Sequence, residues 1–315
     1  MKNQYVDNLQ EGGVVNDVFI ATRNDLRTKQ DGGKFLGMVF KDRTGEIGGI
    51  MWNNAAEVSR QFQVGDVVNV KGKVSSYQGR LQLQVERVLP LRDGEYDVTD
   101  LVFTPEDTKA DLNGLRTMLE SVENEWLKRV IDAFLQDSDF MSRFTDAAAA
   151  KRWHHEYRGG LVRHTHEMCQ IGETMCALYP NIDRCMLLTA TFLHDIGKLE
   201  EMTHDLCVEY TTVGRLLGHV HIGADMVSTK ISGIEGFPEK TRLELLHCIL
   251  SHHGELQYGS PVVPKTLEAI VLHHVDNLDA QTAAFSRIIT DSNAKGQEWS
   301  EYMPLIDRMI WNKEG

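Results

Sequence analysis

Residues 14 to 90 carry the hydrophobic pattern of β-strands. Five stretches are rich in Val, Ile, Leu and Phe, and parts of them alternate apolar with polar positions, as strands with one buried face do. The turn sequences KQDGGK, DRTGE and SYQGR separate these stretches. The predicted strands cover residues 14–26, 34–42, 46–52, 66–77 and 80–90.

A short helix is predicted between the third and fourth strands. The segment NNAAEVSRQFQVGD fits a helix that Asn53 or Asn54 caps and that Gly65 stops. Five strands with a helix in this place match the topology of an OB-fold barrel, and the segment is similar to the OB domains of RNA- and DNA-binding proteins. We therefore expect residues 1–95 to form an OB-fold nucleic-acid-binding domain.

From about Thr104 onward, the apolar positions repeat at helical spacing. Thr104 and Pro105 have the residue types of a helix N-cap and first helical position, and Leu112, Leu115 and Leu119 lie on one predicted helix face. The fold class is therefore multidomain, an all-β barrel followed by an all-α helical bundle. The predicted parts are the barrel over 1–95, a helical connector over 96–145 and the bundle over 146–315.

The composition is that of a globular protein without membrane segments. Hydrophobic residues make up 42% and charged residues 25% of the 315 positions, and no apolar run reaches the roughly 18 residues that a membrane span needs. The first residues, MKNQYVDNLQEGG, lack the apolar region of a signal peptide. The five cysteines are odd in number and form no CxxC pair, which indicates reduced thiols. We expect a cytoplasmic protein with no membrane partner.

Charge is distributed unevenly along the chain. The formal net charge is −13, whereas residues 14 to 90 hold eleven Lys and Arg against eight Asp and Glu, a balance of +3. This asymmetry marks the predicted barrel as the nucleic-acid surface.

Histidines are concentrated in the second half of the chain, between His154 and His274. Neutral imidazole and carboxylate are the ligand types that hold Zn, Mn, Fe and related divalent ions. The apolar stretch over residues 187–193 predicts a buried helix that delivers His194 and Asp195, a nitrogen and an oxygen ligand, to the interior. Such a site activates water, so these residues favour a metal-dependent hydrolase.

The order of these residues resembles the HD superfamily of metal-dependent phosphohydrolases over roughly residues 146 to 285. Its signature is a lone His, an HD doublet and a distant Asp, with further histidines where a second metal is bound. Here the lone His lies in GGLVRHT, the doublet in TFLHDIGK and the distant Asp in LHHVDNLDA. The further histidines lie in GHVHIG and ILSHHGE. The resemblance implies as metal ligands His164, His194, Asp195, His219, His252, His253 and Asp276.

Two divalent ions per chain are expected from this set. Asp195 is the expected bridging ligand, because it directly follows a ligand histidine. One ion would take the lone His, the doublet and the distant Asp, and the other would take Asp195 and the three further histidines. His221 competes with His219, since GHVHIG places them two positions apart, although the spacing from His219 to Gly223 fits the family better. If the second site is weak, one metal and an outer histidine as acid or base would suffice.

Two further histidines and one glycine bear on the geometry of the site. His166 follows His164 by two positions and faces another side of the helix, so it is read as a surface or outer residue. His273 and Asp276 share a helix face, which makes His273 a neighbour of the site. Gly254 stands where a helix C-cap would end the helix that carries the His252-His253 pair.

Catalysis is expected to involve Asp195, His194 and Lys198. Lys198, one helical turn after Asp195, would hold a substrate phosphate, the alternative being a solvated lysine at a helix end. In the family the stretch KRWHHEYRGG borders the active site, so His155 and Arg158 are candidate substrate contacts.

The predicted barrel offers its own binding residues. Trp52 stands at a strand end and Tyr77 beside a turn, with Lys73 and Arg80 among the cations near them. OB-folds hold single strands by stacking bases on aromatic rings in a basic groove. The alternative for each ring is a place in the barrel core.

An OB barrel followed by an HD domain, with AAAKRWHHEYRGGLVRHT and LSHHGELQYGSPVVP, closely resembles the YhaM family of 3′-to-5′ exoribonucleases. The resemblance implies an oligomeric exonuclease that acts on single-stranded RNA, often also on DNA. Mn is the family's usual activator, with Fe, Mg, Co and Zn as alternatives. Two rival functions stay open. One is an HD phosphohydrolase that cleaves a free nucleotide or cyclic dinucleotide and uses the barrel for assembly or regulation. The other is a binding module with a vestigial HD site. HHGELQYGSP departs from the GYP motif of cyclic-dinucleotide phosphodiesterases.

Overall fold

The computed structural model describes residues 2–29, 32–102, 108–150, 157–203, 206, 208–304 and 306–314. Two compact units make up the chain, one formed by Met1–Thr104 with His204–Val208 and the other by Pro105–Thr203 with Glu209–Gly315.

The first unit is a closed five-stranded barrel. Its strands follow one another around the barrel in the order β1-β2-β3-β5-β4, and all neighbours are antiparallel except the parallel pair β3 and β5. This is the OB-fold topology, and the all-β prediction for this part of the chain is confirmed. The strands are β1 (Val14–Thr28), β2 (Lys34–Asp42), β3 (Gly45–Met51), β4 (Val67–Tyr77) and β5 (Arg80–Pro90).

Alternating burial along the strands fills the barrel. Along β2, for example, Leu36, Met38 and Phe40 point inward, and the residues between them are half-buried. Gln78 and Gly79 join β4 to β5 with positive φ at both positions, the geometry of a two-residue hairpin turn. The period-two pattern and the turn sequences therefore identify these strands correctly.

The helix between β3 and β4 differs from its prediction. Helix α1 (Ala55–Val58) ends seven residues before Gly65, so Gly65 does not stop it. Asn54 precedes the helix in a left-handed conformation, and its side chain makes no capping hydrogen bond, because side-chain caps need an extended backbone there. Gly65 instead adopts φ +98° in the turn before β4 and donates its N–H to the Ala21 carbonyl.

The long elements described in the second unit are all helices. The predicted helix start at Thr104 and Pro105 lies outside the described residues, and the first described helix begins at Thr108. The helices are α2 (Thr108–Glu120), α3 (Glu125–Leu135), α4 (Ser138–Asp146), α5 (Gly160–Leu178), α6 (Arg184–Leu193), α7 (Lys198–Glu201), α8 (Thr212–Ser232), α9 (Glu239–Ser251) and α10 (Leu267–Ala294). Short 3₁₀ turns occupy Val6–Asn8, Val98–Asp100 and Leu256–Tyr258.

One hydrophobic core holds these helices together. Phe134 of α3, Phe140 and Phe144 of α4 and Phe192 of α6 form a cluster of rings with centroids 4.8 to 6.4 Å apart. The predicted connector, residues 96–145, therefore contributes α2 to α4 to the same core as the bundle. Among the described helices, none is both long and apolar enough to cross a membrane.

Candidate metal centre

Helix α6 carries the histidine–aspartate doublet into the interior. Asp183 caps the helix by accepting the Met186 N–H, and every residue from Met186 to Leu193 is buried. The chain leaves the helix at His194 and Asp195, which are themselves buried. Two buried helical turns thus place a nitrogen and an oxygen ligand in the core.

Helices α5 and α10 complete the first group of ligand atoms. Gly159, with φ +82°, turns the chain into α5, on which His164 is fully buried. The Nε2 atom of His164 lies 3.4 Å from Asp276 Oδ1 on α10 and 3.6 Å from Asp195 Oδ2. His194 Nε2 lies 3.3 Å from the same Asp195 oxygen. The atoms of His164, His194 and Asp195 are close enough together to hold one ion.

A break in helix α8 positions the histidine of the second group. Gly218 interrupts α8 with φ +71° and ψ 150°, a conformation that favours glycine, directly before His219. His219 Nε2 lies 3.4 Å from Asp195 Oδ1. His221, the alternative raised by the sequence, is exposed on the following turn.

The end of helix α9 supplies two more imidazoles. His252 stands at the C-cap of α9 with its Nε2 3.8 Å from Asp195 Oδ1, and His253 follows it. The ring centroids of His219 and His253 are 5.0 Å apart, and the three histidines form a second group that could hold an ion. Gly254 then turns the chain with φ +79°.

Asp195 lies between the two groups. Its Oδ2 faces the first group and its Oδ1 faces the second. The structure therefore brings all seven predicted ligands to one place around this carboxylate. The assignment of each residue to an ion stays a proposal.

Backbone and carboxylate acceptors orient each imidazole. Nδ1 donates to the carbonyl of Thr191 in His194, of Ile249 in His252 and of Tyr258 in His253, at 2.6 to 2.8 Å. A carbonyl oxygen only accepts, so Nδ1 carries the proton and Nε2 is left as the ligand atom. Among the described residues, the buried atoms without a hydrogen-bond partner include His194 Nε2, Asp195 Oδ1, His219 Nε2 and His252 Nε2. Buried polar atoms are rarely left unpaired, so this convergence fits divalent cations.

Two carboxylates that the sequence analysis did not single out touch the centre. Asp279 Oδ2 lies 2.6 Å from His164 Nδ1, and Glu201 lies 3.0 Å from His219 Nδ1. Asp279 stands one helical turn after Asp276, which is a signal that the sequence contained. Glu201 lies in the charged stretch KLEE, where nothing in the sequence distinguishes it from its neighbour Glu200, which is exposed.

Burial and neighbouring charges shift the pKa values of several groups in the centre. Burial would raise the pKa of Asp195, but Lys198 and His194 hold it well below its usual range. Burial would lower the pKa of His164, yet Asp276 and Asp279 raise it to about 9. Burial and the neighbouring His194 lower the pKa of His252 well below its usual range. Burial and neighbouring charges thus shift the pKa values of His164 and His252 in opposite directions.

Lys198 lies at the centre, whereas Arg158 pairs with Asp146. Its Nζ is 2.5 Å from Asp195 Oδ2, and its side chain is nearly buried. Arg158 is exposed and makes two hydrogen bonds to Asp146. His155 lies outside the described residues.

His166 and His273, which lie close to predicted ligands in the sequence, make contacts outside the ligand set. His166 Nδ1 lies 3.0 Å from Asp111, which agrees with its reading as an outer residue. His273 Nδ1 donates to the His252 carbonyl, and its ring fills the space in which a Cβ on Gly254 would stand. His273 therefore supports the end of α9.

Aromatic and basic residues of the barrel are accessible as predicted. Trp52 is 51% exposed and Tyr77 is 61% exposed, so neither ring belongs to the barrel core. Lys29 lies 4.7 Å over the Trp52 ring, and Lys73 and Arg80 are exposed on β4 and β5.

Comparison with known families gives each unit a description. Residues 161–281 match the HD domain. Residues 20–91 match the OB-fold nucleic acid binding domain described as tRNA_anti-codon. The chain thus has an OB-fold barrel followed by a helical region that matches the HD domain.

Solved structures similar to parts of the chain include replication protein A and an asparaginyl-tRNA synthetase. The second OB-fold domain of replication protein A from Methanococcus maripaludis is 22% identical, over 30% of this chain and 99% of that one, with a TM-score of 0.24. A replication protein A heterotrimer bound to ssDNA is 20% identical over 28% and 64%, with a TM-score of 0.22. Asparaginyl-tRNA synthetase from Pyrococcus horikoshii is 15% identical over 44% and 35%, with a TM-score of 0.25.

Proposed function

We propose that this protein is a metal-dependent exonuclease that hydrolyses single-stranded RNA from its 3′ end. An HD domain indicates a metal-dependent phosphohydrolase, and the OB-fold domain relates it to nucleic acid. The observation that supports the proposal most is the convergence of six ligand-type residues on Asp195 in a chain that also contains an OB barrel. RNA as substrate, 3′-to-5′ polarity, activity on DNA and a homo-oligomeric state rest on the resemblance to the YhaM family.

The residues present fit two divalent cations, of which Mn is the first choice. His164, His194 and Asp276 would hold one, His219, His252 and His253 the other, and Asp195 would contact both. When bound, such ions lower the pKa of water and neutralise the charge on phosphate oxygens.

The side chains of the centre prepare it for an anionic substrate. Lys198 stays cationic: burial would lower its pKa, but the Asp195 carboxylate raises it above the ordinary value. Its ammonium group lies beside Asp195, a position that suits the binding of a phosphate oxygen. There it also offsets part of the negative charge of the centre. Nδ1 of each carbonyl-bound histidine keeps its proton, which fixes the ring and leaves Nε2 directed inward.

Burial indicates the side from which substrate approaches. His164, His194 and His252 are fully buried, whereas Asp276 is 19% exposed and His219 is 12% exposed. Exposed apolar residues lie close to His219 and His253 in the sequence, namely Leu216, Leu217, Leu256 and Tyr258. These side chains would contact the nucleobases next to the cleaved bond.

Product analysis tests the proposal. Single-stranded RNA labelled at its 5′ end and incubated with Mn should give a ladder that shortens in steps of one nucleotide. Early release of a labelled mononucleotide would reverse the polarity, and mid-chain fragments alone would show an endonuclease. Free nucleotides and cyclic dinucleotides, assayed at equal concentration, should be cleaved far more slowly. If they are cleaved and RNA is not, the HD phosphohydrolase with a regulatory barrel is the correct function.

A further inference from the structure

We infer that Glu201 is the positioning residue of the His219 group, and that its carboxylate determines how tightly this group holds a cation. The inference rests on the metal centre of the proposed function and does not depend on which substrate is cleaved. Asp279 occupies the equivalent place beside His164.

Glu201 holds His219 by three contacts. Its Oε1 accepts the backbone N–H of His219 at 3.0 Å, and both carboxylate oxygens lie 3.0 Å from the imidazole Nδ1. The side chain is 11% exposed, so water competes little for these bonds. With Nδ1 engaged, the Nε2 atom faces Asp195 Oδ1 at 3.4 Å and has no hydrogen-bond partner.

The backbone around these two residues is built for the contact. The break at Gly218 directs the N–H of His219 to the carboxylate of Glu201. A Cβ on Gly214 would lie 2.1 Å from the Glu201 carbonyl, and a Cβ on Gly197 would lie 2.0 Å from the His219 carbonyl. Glycines at these positions allow α7 and α8 to approach closely enough for Glu201 to reach the ring.

The type of acceptor distinguishes His219 from the other histidines of its group. Through Nδ1, His252 and His253 donate to neutral carbonyls, whereas the Nδ1 atom of His219 contacts a carboxylate. A carboxylate partner raises the basicity of a ligating imidazole as well as fixing its orientation, and loss of such a partner costs about 10- to 100-fold in metal affinity. Each group therefore has one carboxylate-held histidine, so each carboxylate should control one ion.

The test measures metal binding directly. Glu201→Gln keeps the volume and one acceptor and removes the charge, so the protein should fold while its affinity for the second Mn falls about 10-fold or more. Calorimetric titration gives the two affinities, and the spin coupling of a Mn pair in electron paramagnetic resonance should give way to the signal of isolated Mn. Glu200→Gln is the matched control: its carboxylate is exposed and pairs with Arg143, and both affinities should stay at the wild-type value.

A double variant identifies the ion. Once His219→Ala has removed the ligand, adding Glu201→Gln should change the remaining Mn affinity by less than twofold, because both changes act on one site. Asp279→Asn combined with His219→Ala should further weaken the binding of the remaining ion.

Wild-type affinity for two ions in Glu201→Gln, or an equal loss of both ions, would overturn the inference. If Glu201→Gln does not yield folded protein by circular dichroism, Glu201→Asp is titrated with the same expected and contradicting results. Selective loss of one ion in a protein that fails to cut RNA would support the inference and reject the proposed exonuclease.

Discussion

At the scale of single residues, Asp195 connects the two groups of ligands. Asp195→Asn keeps the volume and removes the charge that Lys198 and the surrounding histidines face. We predict that this change lowers RNA hydrolysis by at least about 10³-fold, since residues that act as a unit fail together. Single-strand binding should stay within about twofold of wild type. Near-normal turnover with a full metal complement would contradict the role given to this carboxylate.

Protonation of His164 predicts how metal binding depends on pH. Without a cation its pKa is about 9, so the imidazole carries a proton at neutral pH that a metal ion must displace. Mn affinity should therefore rise as the pH increases from 6.5 to 9 and then level off. Asp279→Asn removes one cause of the raised pKa, so the rise should end at a lower pH. Titrations at several pH values check both statements, and a pH-independent affinity in the wild type would refute them.

The sequence selects residues that the structure brings together, whereas it does not select the carboxylates that support them. Ligand type and order, with the resemblance to the HD superfamily, select Asp195 and the six residues around it, and their role as metal ligands stays a prediction. The spacing from His219 to Gly223 favours His219 over His221, but the break at Gly218 that precedes His219 is not foreseen by any spacing rule. Glu201 was missed because surface carboxylates are common in helices, and only the contact with His219 distinguishes it from Glu200.

At the scale of elements, the close approach of α7 and α8 supports the centre. We predict that Gly197→Ala destabilises the second unit by about 1–3 kcal/mol, because its Cβ would overlap the His219 carbonyl. Mn affinity should fall with it. Gly172→Ala on α5 is the control: its Cβ meets only Leu187 at 3.5 Å, and alanine favours the helix. Urea unfolding of the metal-free proteins measures both, and equal stabilities would show that the two helices can separate without cost.

Strands were easier to predict than the short helix beside them. Apolar residues bounded by turn sequences mark each strand of the barrel over seven or more residues, so the strand ends differ from prediction by only one or two residues. Helix α1 has four residues, and its start depends on the left-handed backbone of Asn54, which a capping rule does not foresee.

At the scale of the whole molecule, the proposed function requires RNA binding by the barrel and RNA hydrolysis by the helical unit. We predict that Trp52→Ala weakens single-stranded RNA binding by about 1–3 kcal/mol, if a base stacks on this ring. Lys73→Ala should reduce the salt dependence of binding by a slope of roughly 0.7. Tyr179→Ala, an exposed ring at the end of α5, is the control for loss of an aromatic side chain and should bind as wild type does. Unchanged binding in Trp52→Ala would assign the RNA contact to another surface.

The central claim is that RNA hydrolysis depends on the cations held around Asp195. The most direct measurement determines bound Mn and the rate of RNA cleavage in the same samples, as Mn is added back to chelator-treated wild type and Asp195→Asn. We predict that the wild-type rate rises with bound Mn and approaches its maximum near two ions per chain, while the variant binds less Mn and stays inactive. Full activity in wild type without bound metal, or an inactive wild type with both ions in place, would contradict the account.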